Sequence, residues 1–298
     1  MATNLDAAIT ADNNSQYDIF LRNWQNAGAV NQLLSRKAGA TVAGNYSSSQ
    51  PEMSDDGLRV VFNSASTDLV SGIADVNGNA IDLFAYDGTS LALVTAKGTG
   101  VFTGSTGIGA GFDLSDNGQF VVFSSTSKGI VADVNGSPHY EQVYWRDLNA
   151  QYTERISVNS IADFADYPAN SPSISGDGRY VAFQSYASNL SPLANNGNWQ
   201  VYVRDRATGP GSATTTLISQ AAGSAGDSYS LNPSISHDGQ WIAFESAAAN
   251  LDPAGVTDNG HTDTFLQQWA SPGPLLLLSR QAGASAGGNQ NSTRAELE

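Results

Sequence analysis

One twelve-residue segment recurs four times along the chain, and no other feature restricts the fold as strongly. It reads PEMSDDGLRVVF at residues 51–62, FDLSDNGQFVVF at 112–123, PSISGDGRYVAF at 172–183 and PSISHDGQWIAF at 233–244. The marker glycines Gly57, Gly118, Gly178 and Gly239 stand 61, 60 and 61 residues apart. A fixed period of that length marks one supersecondary unit that cannot cover its own apolar surface and must stack against its copies.

Each unit reads as four strands, a to d. Strand a is short, from Pro172 to Ser175 in the third copy. Asp177-Gly178 then predicts a two-residue hairpin of type I′, because both residue types tolerate a positive φ. Strand b, Tyr180 to Ser185, is a nearly continuous apolar run, which a strand shows when both sheet faces are covered. Strand c is Gln200 to Asp205, echoed at Asp82 to Asp87, Gln142 to Asp147 and Thr264 to Gln268. Strand d is Thr215 to Ser219, echoed at Leu91 to Thr95, Arg155 to Val158 and Leu275 to Ser279. Period-two patterning rich in β-branched and aromatic residues excludes a helical repeat.

The blades therefore fall near residues 51–95, 112–158, 172–219 and 233–279. Asp18 to Asn23 and Gln32 to Ser35 read as strands c and d of a further unit, and Asn291 to Glu296 aligns with the start of strand a at Leu231 to Ser236. The expected fold is an all-β propeller of four-stranded blades spanning residues 1–296. It has five blades, the closing one a composite of residues 3–35 and 291–296, the joining that in a propeller removes exposed sheet edges. No strand b of that blade is visible, so either the closing blade is incomplete or the chain is cut from a longer repeat array. Leu297-Glu298 reads as a cloning scar. No signal peptide is visible at the start.

The pattern Ser-x-Asp-Gly-x-x-Val-Ala-Phe-x-Ser (Ser175 to Ser185, and with Ile242 at the valine position Ser236 to Ser246), followed by Val-Tyr-Val-Arg-Asp at 201–205, resembles the TolB-type, WD40-like propeller repeat. The resemblance implies a secreted, periplasmic or cell-surface protein that binds other macromolecules. Its enzyme-associated members leave a glycan-active or peptidase-associated propeller as the alternative. A fold of this kind carries over well and a function poorly.

Composition narrows the partners. With 13 basic and 28 acidic residues the net charge is −15, which repels phosphate backbones and anionic membranes. Nucleic acid is therefore not an expected partner, and basic proteins, neutral glycans and divalent cations remain. Absent cysteine removes disulfides, thiolate nucleophiles and cysteine metal sites. The apolar run Leu275 to Leu278 is far short of the ~20 residues of a membrane helix.

Strand parity places the a–b and c–d turns on one edge of each sheet and the b–c and d–a loops on the other. The long connections, such as Asn189 to Trp199 and Gln220 to Leu231, make that second edge the expected binding face. Its aromatic residues Tyr140, Phe164, Tyr167, Trp199 and Tyr229 are the candidate ligand contacts, able to stack on sugars or partner side chains or else to plug gaps between blades.

The b–c loops also repeat an oxygen-rich pattern. It runs through Asp12, Asn14 and Asp18; Asp75, Asn77 and Asp82; Asp133, Asn135 and Glu141; and Asp258 and Asp263. Calcium prefers clustered carboxylate and carbonyl oxygens around tight turns, so these are candidate calcium ligands. The competing reading is that Asp, Asn and Gly simply build turns. Arg22, Arg146 and Arg204 recur at one position of strand c and read as structural hydrogen-bond donors. His139, His237 and His261 occupy different places in their units, and no nucleophile elbow is present, so no catalytic residue is assigned.

Overall fold

A computed structural model describes residues 14–73, 75, 77–96, 107–109, 111–127, 129–131, 140–193, 195–207, 213–252, 260–270, 274–279 and 297. A two-stranded sheet, β1 (Phe20–Leu21) with β2 (Gln32–Leu33), comes first. The first four-stranded sheet holds β3 (Ser48–Met53), β4 (Val60–Ser64), β5 (Asp82–Tyr86) and β6 (Leu91–Leu93). The second holds β7 (Phe112–Leu114), β8 (Phe120–Ser125), β9 (Gln142–Asp147) and β10 (Tyr152–Arg155). The third holds β11 (Ala169–Ile174), β12 (Tyr180–Ser185), β13 (Gln200–Asp205) and β14 (Thr214–Leu217). A small hairpin of β15 (Gln220–Ala221) and β16 (Ser224–Ala225) precedes the fourth sheet. That sheet holds β17 (Ser230–Ile235), β18 (Trp241–Ser246), β19 (Asp263–Gln268) and β20 (Leu276–Leu277). Every four-stranded sheet is a meander whose strands neighbour one another in chain order. Among the described residues the only helix is a single 3₁₀ turn at Ala249–Leu251.

The chain divides into two compact units. The first comprises residues 1–108, 126–137 and 148–153, and the second residues 109–125, 138–147 and 154–298. In the first, Ile19, Leu34, Val60, Phe62, Phe84 and Leu93 form one core. The second has two cores, and the pleat of its middle sheet separates them. Val181, Phe183 and Tyr202 enter one core with Val122, Val143 and Trp145, whereas Ala182, Val201 and Val203 enter the other with Ile242, Phe244 and Phe265. Successive side chains of a strand point to opposite faces. The continuous apolar run of β12 thus reflects cover on both faces, as its composition requires. In each sheet the Phe of strand b stacks on the aromatic ring opposite it in strand c: Phe62 on Phe84, Phe123 on Tyr144, Phe183 on Tyr202 and Phe244 on Phe265, with centroids 5.6–6.0 Å apart.

The a–b turn differs from the expected type I′ hairpin. Ser175 N–H bonds the Tyr180 carbonyl at 2.9 Å, so four residues, 176–179, make the connection. Gly178 has φ +76° while Asp177 keeps a negative φ, and Gly178 N–H closes a turn on the Ser175 carbonyl at 2.8 Å. A type I turn followed by a left-handed glycine fits both facts. The Ser175 hydroxyl holds it, donating to Asp177 Oδ1 (2.7 Å) and accepting from Tyr180 N–H (3.0 Å). A true two-residue turn with both central φ positive stands instead at Ala222 and Gly223, between β15 and β16.

Strand a is also longer than Pro172 to Ser175. Residues Gln50, Ser171 and Asn232, each preceding a proline, take φ near +50°, and the register of β3, β11 and β17 shifts there. The extra residue is a bulge that lets the strand continue upstream past a proline with no N–H to donate. Within the second unit strand a clasps its neighbour. Asp113 Oδ2 accepts from Ile174 N–H (2.8 Å), Ser173 Oγ from Ile235 N–H (3.2 Å) and Ser234 Oγ from Leu297 N–H (3.0 Å). Leu297 thus takes the place of Ile174 and Ile235 in the clasp; residues 3–13 and 291–296 lie outside the described residues.

Candidate functional site

Strand ends at the loop edge of the second unit position two sets of side chains. The first is an aromatic row. Tyr140, just before β9, stacks on Tyr167 at 5.6 Å and 25°. Tyr167 meets Tyr186 edge-on at 5.6 Å, and Tyr186 meets Trp199 edge-on at 6.1 Å. Tyr140 and Tyr167 are 42% and 43% exposed, and Tyr186 and Trp199 are half-buried beneath that open end. Three of the nominated aromatic residues are thereby brought together. Phe164 is not among them, since the Arg155 guanidinium covers its ring at 3.9 Å. Tyr229 is 40% exposed, and its hydroxyl pairs with Thr262 Oγ1 at 3.0 Å. Sequence reading passed over Tyr186, which follows strand b where the other copies have Ala65, Thr126 and Ala247. Departure from the repeat was the available signal.

The second set is a hydrogen-bonded chain at the same edge. Ser124 Oγ donates to Glu141 Oε1 (2.7 Å), Asn170 Nδ2 to Glu141 Oε2 (2.9 Å) and Gln184 Nε2 to Asn170 Oδ1 (2.9 Å). Asn232 N–H donates to Gln184 Oε1 (2.7 Å), and Asn232 Nδ2 to Glu245 Oε2 (3.2 Å). The bulges of β11 and β17 make this possible, because they turn Asn170 and the Asn232 amide toward the ends of the b strands. Gly109 leaves room for the first carboxylate: a Cβ there would fall on Glu141 Oε1.

The nominated metal ligands divide differently. Asp18, Asp82 and Asp263 open strand c, where the other two copies have Gln142 and Gln200, and all five serve one latch. A hydroxyl from the end of strand d donates to each: Ser35 to Asp18 (2.8 Å), Thr95 to Asp82 (2.7 Å), Ser157 to Gln142 (2.6 Å), Ser219 to Gln200 (2.6 Å) and Ser279 to Asp263 (2.6 Å). Each hydroxyl in turn accepts the next backbone N–H of strand c, at 3.0–3.3 Å. Glu141 belongs to the polar chain, and Asn14 Oδ1 accepts from Gln16 N–H at 2.8 Å in its own turn. Asp12, Asp133, Asn135 and Asp258 lie outside the described residues.

One loop does gather its oxygens. Asn77 N–H bonds Asp75 Oδ1 (3.0 Å), Asn77 Nδ2 bonds Asp82 Oδ2 (3.2 Å), and Asn77 Oδ1 is buried without a partner. Burial, with the Asp75 charge adding to it, raises the Asp82 pKa from 3.8 to about 6. Two carboxylates and one amide oxygen are fewer than the 6–8 oxygens calcium takes, so this loop supplies part of a calcium shell. Burial also raises Asp113, to about 6, against the backbone N–H groups that stabilise its ionised form.

The turn edge of the second unit is different in kind. His237 and Asp116 side chains touch there, and Gly176 N–H bonds the His237 carbonyl at 2.9 Å. Arg179 pairs with Asp205 at 2.8 Å on the surface. Arg204 bonds the Asn159 carbonyl (3.1 Å) and Thr215 Oγ1 (3.0 Å), which is the structural use expected of it.

Meander sheets with apolar faces on both sides, repeated in register, define a β-propeller blade protein. No family model matches the chain and no curated protein matches it. The solved structures similar to it include TolB from Acinetobacter baumannii, at 17% identity and TM-score 0.44 over 83% of this chain and 45% of that one. The putative TolB from Agrobacterium tumefaciens matches at 15% identity and TM-score 0.44, over 85% of this chain and 70% of that one. The β-propeller domain of the Trilobed protease from Pyrococcus furiosus matches at 9% identity and TM-score 0.49, over 94% and 67%. The chain spans less than half the length of the first. Among the described residues no helix is long and apolar enough to cross a membrane.

Proposed function

We propose that the chain is a non-catalytic binding propeller of a secreted, periplasmic or surface protein, with its ligand, a protein or a glycan, held at the loop edge of the second unit. The aromatic row Tyr140–Tyr167–Tyr186–Trp199 carries the reading. Exposed, clustered rings with hydroxyl and indole rims are what interfaces use as anchors, giving large contact area at low entropy cost. The test is a set of variants probed on glycan and protein arrays. Tyr167→Ala and Trp199→Ala are expected to weaken whatever binds by about tenfold or more. Arg179→Ala, on the turn edge, leaves binding unchanged. Loss of binding in Arg179→Ala with full binding in both row variants would move the site to the turn edge.

Calcium enters this proposal only at the Asp75–Asn77–Asp82 loop. Because the folded Asp82 pKa is raised, its contribution to stability is present below pH 3.8 and is lost as pH rises through about 6. Two pKa units correspond to about 3 kcal/mol, so denaturant unfolding followed from pH 4 to pH 7 is expected to show a decline of at least that order, from which Asp82→Asn removes the Asp82 share and leaves the part that Asp113 contributes. Added calcium at pH 7 is expected to restore part of the loss in the native chain and none in Asp82→Asn. An identical decline with and without calcium removes the ion from the proposal.

A further inference from the structure

We infer that the open side of β1 receives an added strand from a second polypeptide, an extended segment with the apolar pattern of strand b. The two-stranded sheet is built as strands c and d. Ser35 latches Asp18 as Thr95 latches Asp82, and Leu34 N–H meets the Ile19 carbonyl at 2.8 Å as Val94 N–H meets that of Leu83 at 2.7 Å. In each four-stranded sheet, strand c pairs with strand b over five or six residues. Among the described residues, β1 pairs with β2 alone. Backbone groups alternate sides along an antiparallel strand. Because Ile19 turns its carbonyl to β2, the N–H and C=O of Phe20 face the other side, where no described residue bonds them.

The side chain shows the same deficit. Phe20 aligns with Phe84, Tyr144, Tyr202 and Phe265, which stack on the Phe of strand b and are at most 5% exposed, whereas Phe20 is only half-buried. The edge is nonetheless held in place. Ile19 and Leu34 sit in the core with Val60 and Phe62, Ser48 N–H bonds the Tyr17 carbonyl at 2.8 Å, and Gln32 Nε2 bonds the Tyr86 hydroxyl at 2.7 Å. A fixed, unpaired edge is what strand addition uses, with main-chain bonds supplying affinity and alternate side chains specificity.

The four b strands, VVFNS, FVVFSS, YVAFQS and WIAFES, state the chemistry of the occupant: β-branched or small apolar residues, a Phe, a polar residue and Ser. Laid antiparallel on β1, that Phe stands opposite Phe20 as Phe62 stands opposite Phe84. A folded second copy has no such strand to give, since each strand b is already paired with strands a and c. Residues 1–13 and 280–296 contain no valine and no aromatic residue. The net charge of −15 favours basic flanks on the incoming segment.

The probe is a labelled synthetic peptide carrying YVAFQS between lysines, titrated with the full chain and followed by fluorescence anisotropy. Saturable binding is expected, weakened about tenfold or more by Phe20→Ala, whose unchanged melting curve shows that it folds, and equally by an Ala in place of the peptide's Phe. The peptide variant gives the answer even where Phe20→Ala does not fold. Hydrogen exchange at Phe20 N–H is expected to be fast in the chain alone and to slow at least about tenfold under saturating peptide. Absence of binding, equal binding of a scrambled peptide, or a Phe20 amide already protected without peptide overturns the inference. A concentration-dependent dimer seen by sedimentation and lost in Phe20→Ala overturns the second polypeptide as the source and makes the occupant another copy.

Discussion

Phe183→Ala is expected to lower the free energy of unfolding by about 3–5 kcal/mol, the cost of emptying a ring-sized volume in a core that cannot collapse around it. Phe183 is fully buried and stacks on Tyr202 at 5.8 Å. It also packs into the core that the third sheet shares with Val122, Val143 and Trp145 of the second sheet. Backbone ladders hold both sheets rigid, so the walls of the cavity cannot move inward without breaking strand pairing. Denaturant unfolding at fixed pH measures the loss, and the exposed Ile161, changed to Ala, serves as a control expected within ~0.5 kcal/mol. A cost below about 1 kcal/mol for Phe183→Ala would mean that the stacked-sheet account of the core is wrong.

That Phe was legible in the sequence, and so was most of the framework around it. The strands Gln142–Asp147 and Gln200–Asp205 have the bounds their patterning predicts, because alternation, a local property, decides them. The aromatic residues Tyr140, Tyr167 and Trp199 were legible as loop-edge groups from strand parity alone. Their convergence was not, since it depends on Tyr186 and on distances between loops far apart in the chain. The turn at Asp177-Gly178 shows a different limit. Type I′ and a type I turn with a left-handed glycine share the same residue types, and only the φ of Asp177 separates them. The carboxylates Asp18, Asp82 and Asp263 look like metal ligands because Asp, Asn and Gly crowd their loops. Their role appears only when they are aligned with Gln142 and Gln200 and the hydroxyl from strand d is found beside all five.

The latch makes the second large effect expected. Ser219 is fully buried, donates to Gln200 Oε1 at 2.6 Å and accepts Val201 N–H at 3.0 Å. Ser219→Ala leaves both partners buried with no substitute, and each orphaned polar group costs about 1–3 kcal/mol, so a loss of about 2–4 kcal/mol is expected. The consequence extends to the loop edge. Gln200 Nε2 bonds the Gly226 and Ser228 carbonyls at 2.9 and 3.2 Å, so a Gln200 amide released at its oxygen end no longer pins the connection into β17. Hydrogen exchange then separates the latch from a general loss of stability. Val201 N–H is expected to lose protection beyond the global change in Ser219→Ala, whereas amides of β4 and β5 follow the global change alone. Ser219→Thr keeps the hydroxyl, as Thr95 does at the same position in the first sheet, and is expected to retain most of the stability. Equal stability of Ser219→Ala and the native chain would show that the repeated serine is a remnant of the repeat with no mechanical role.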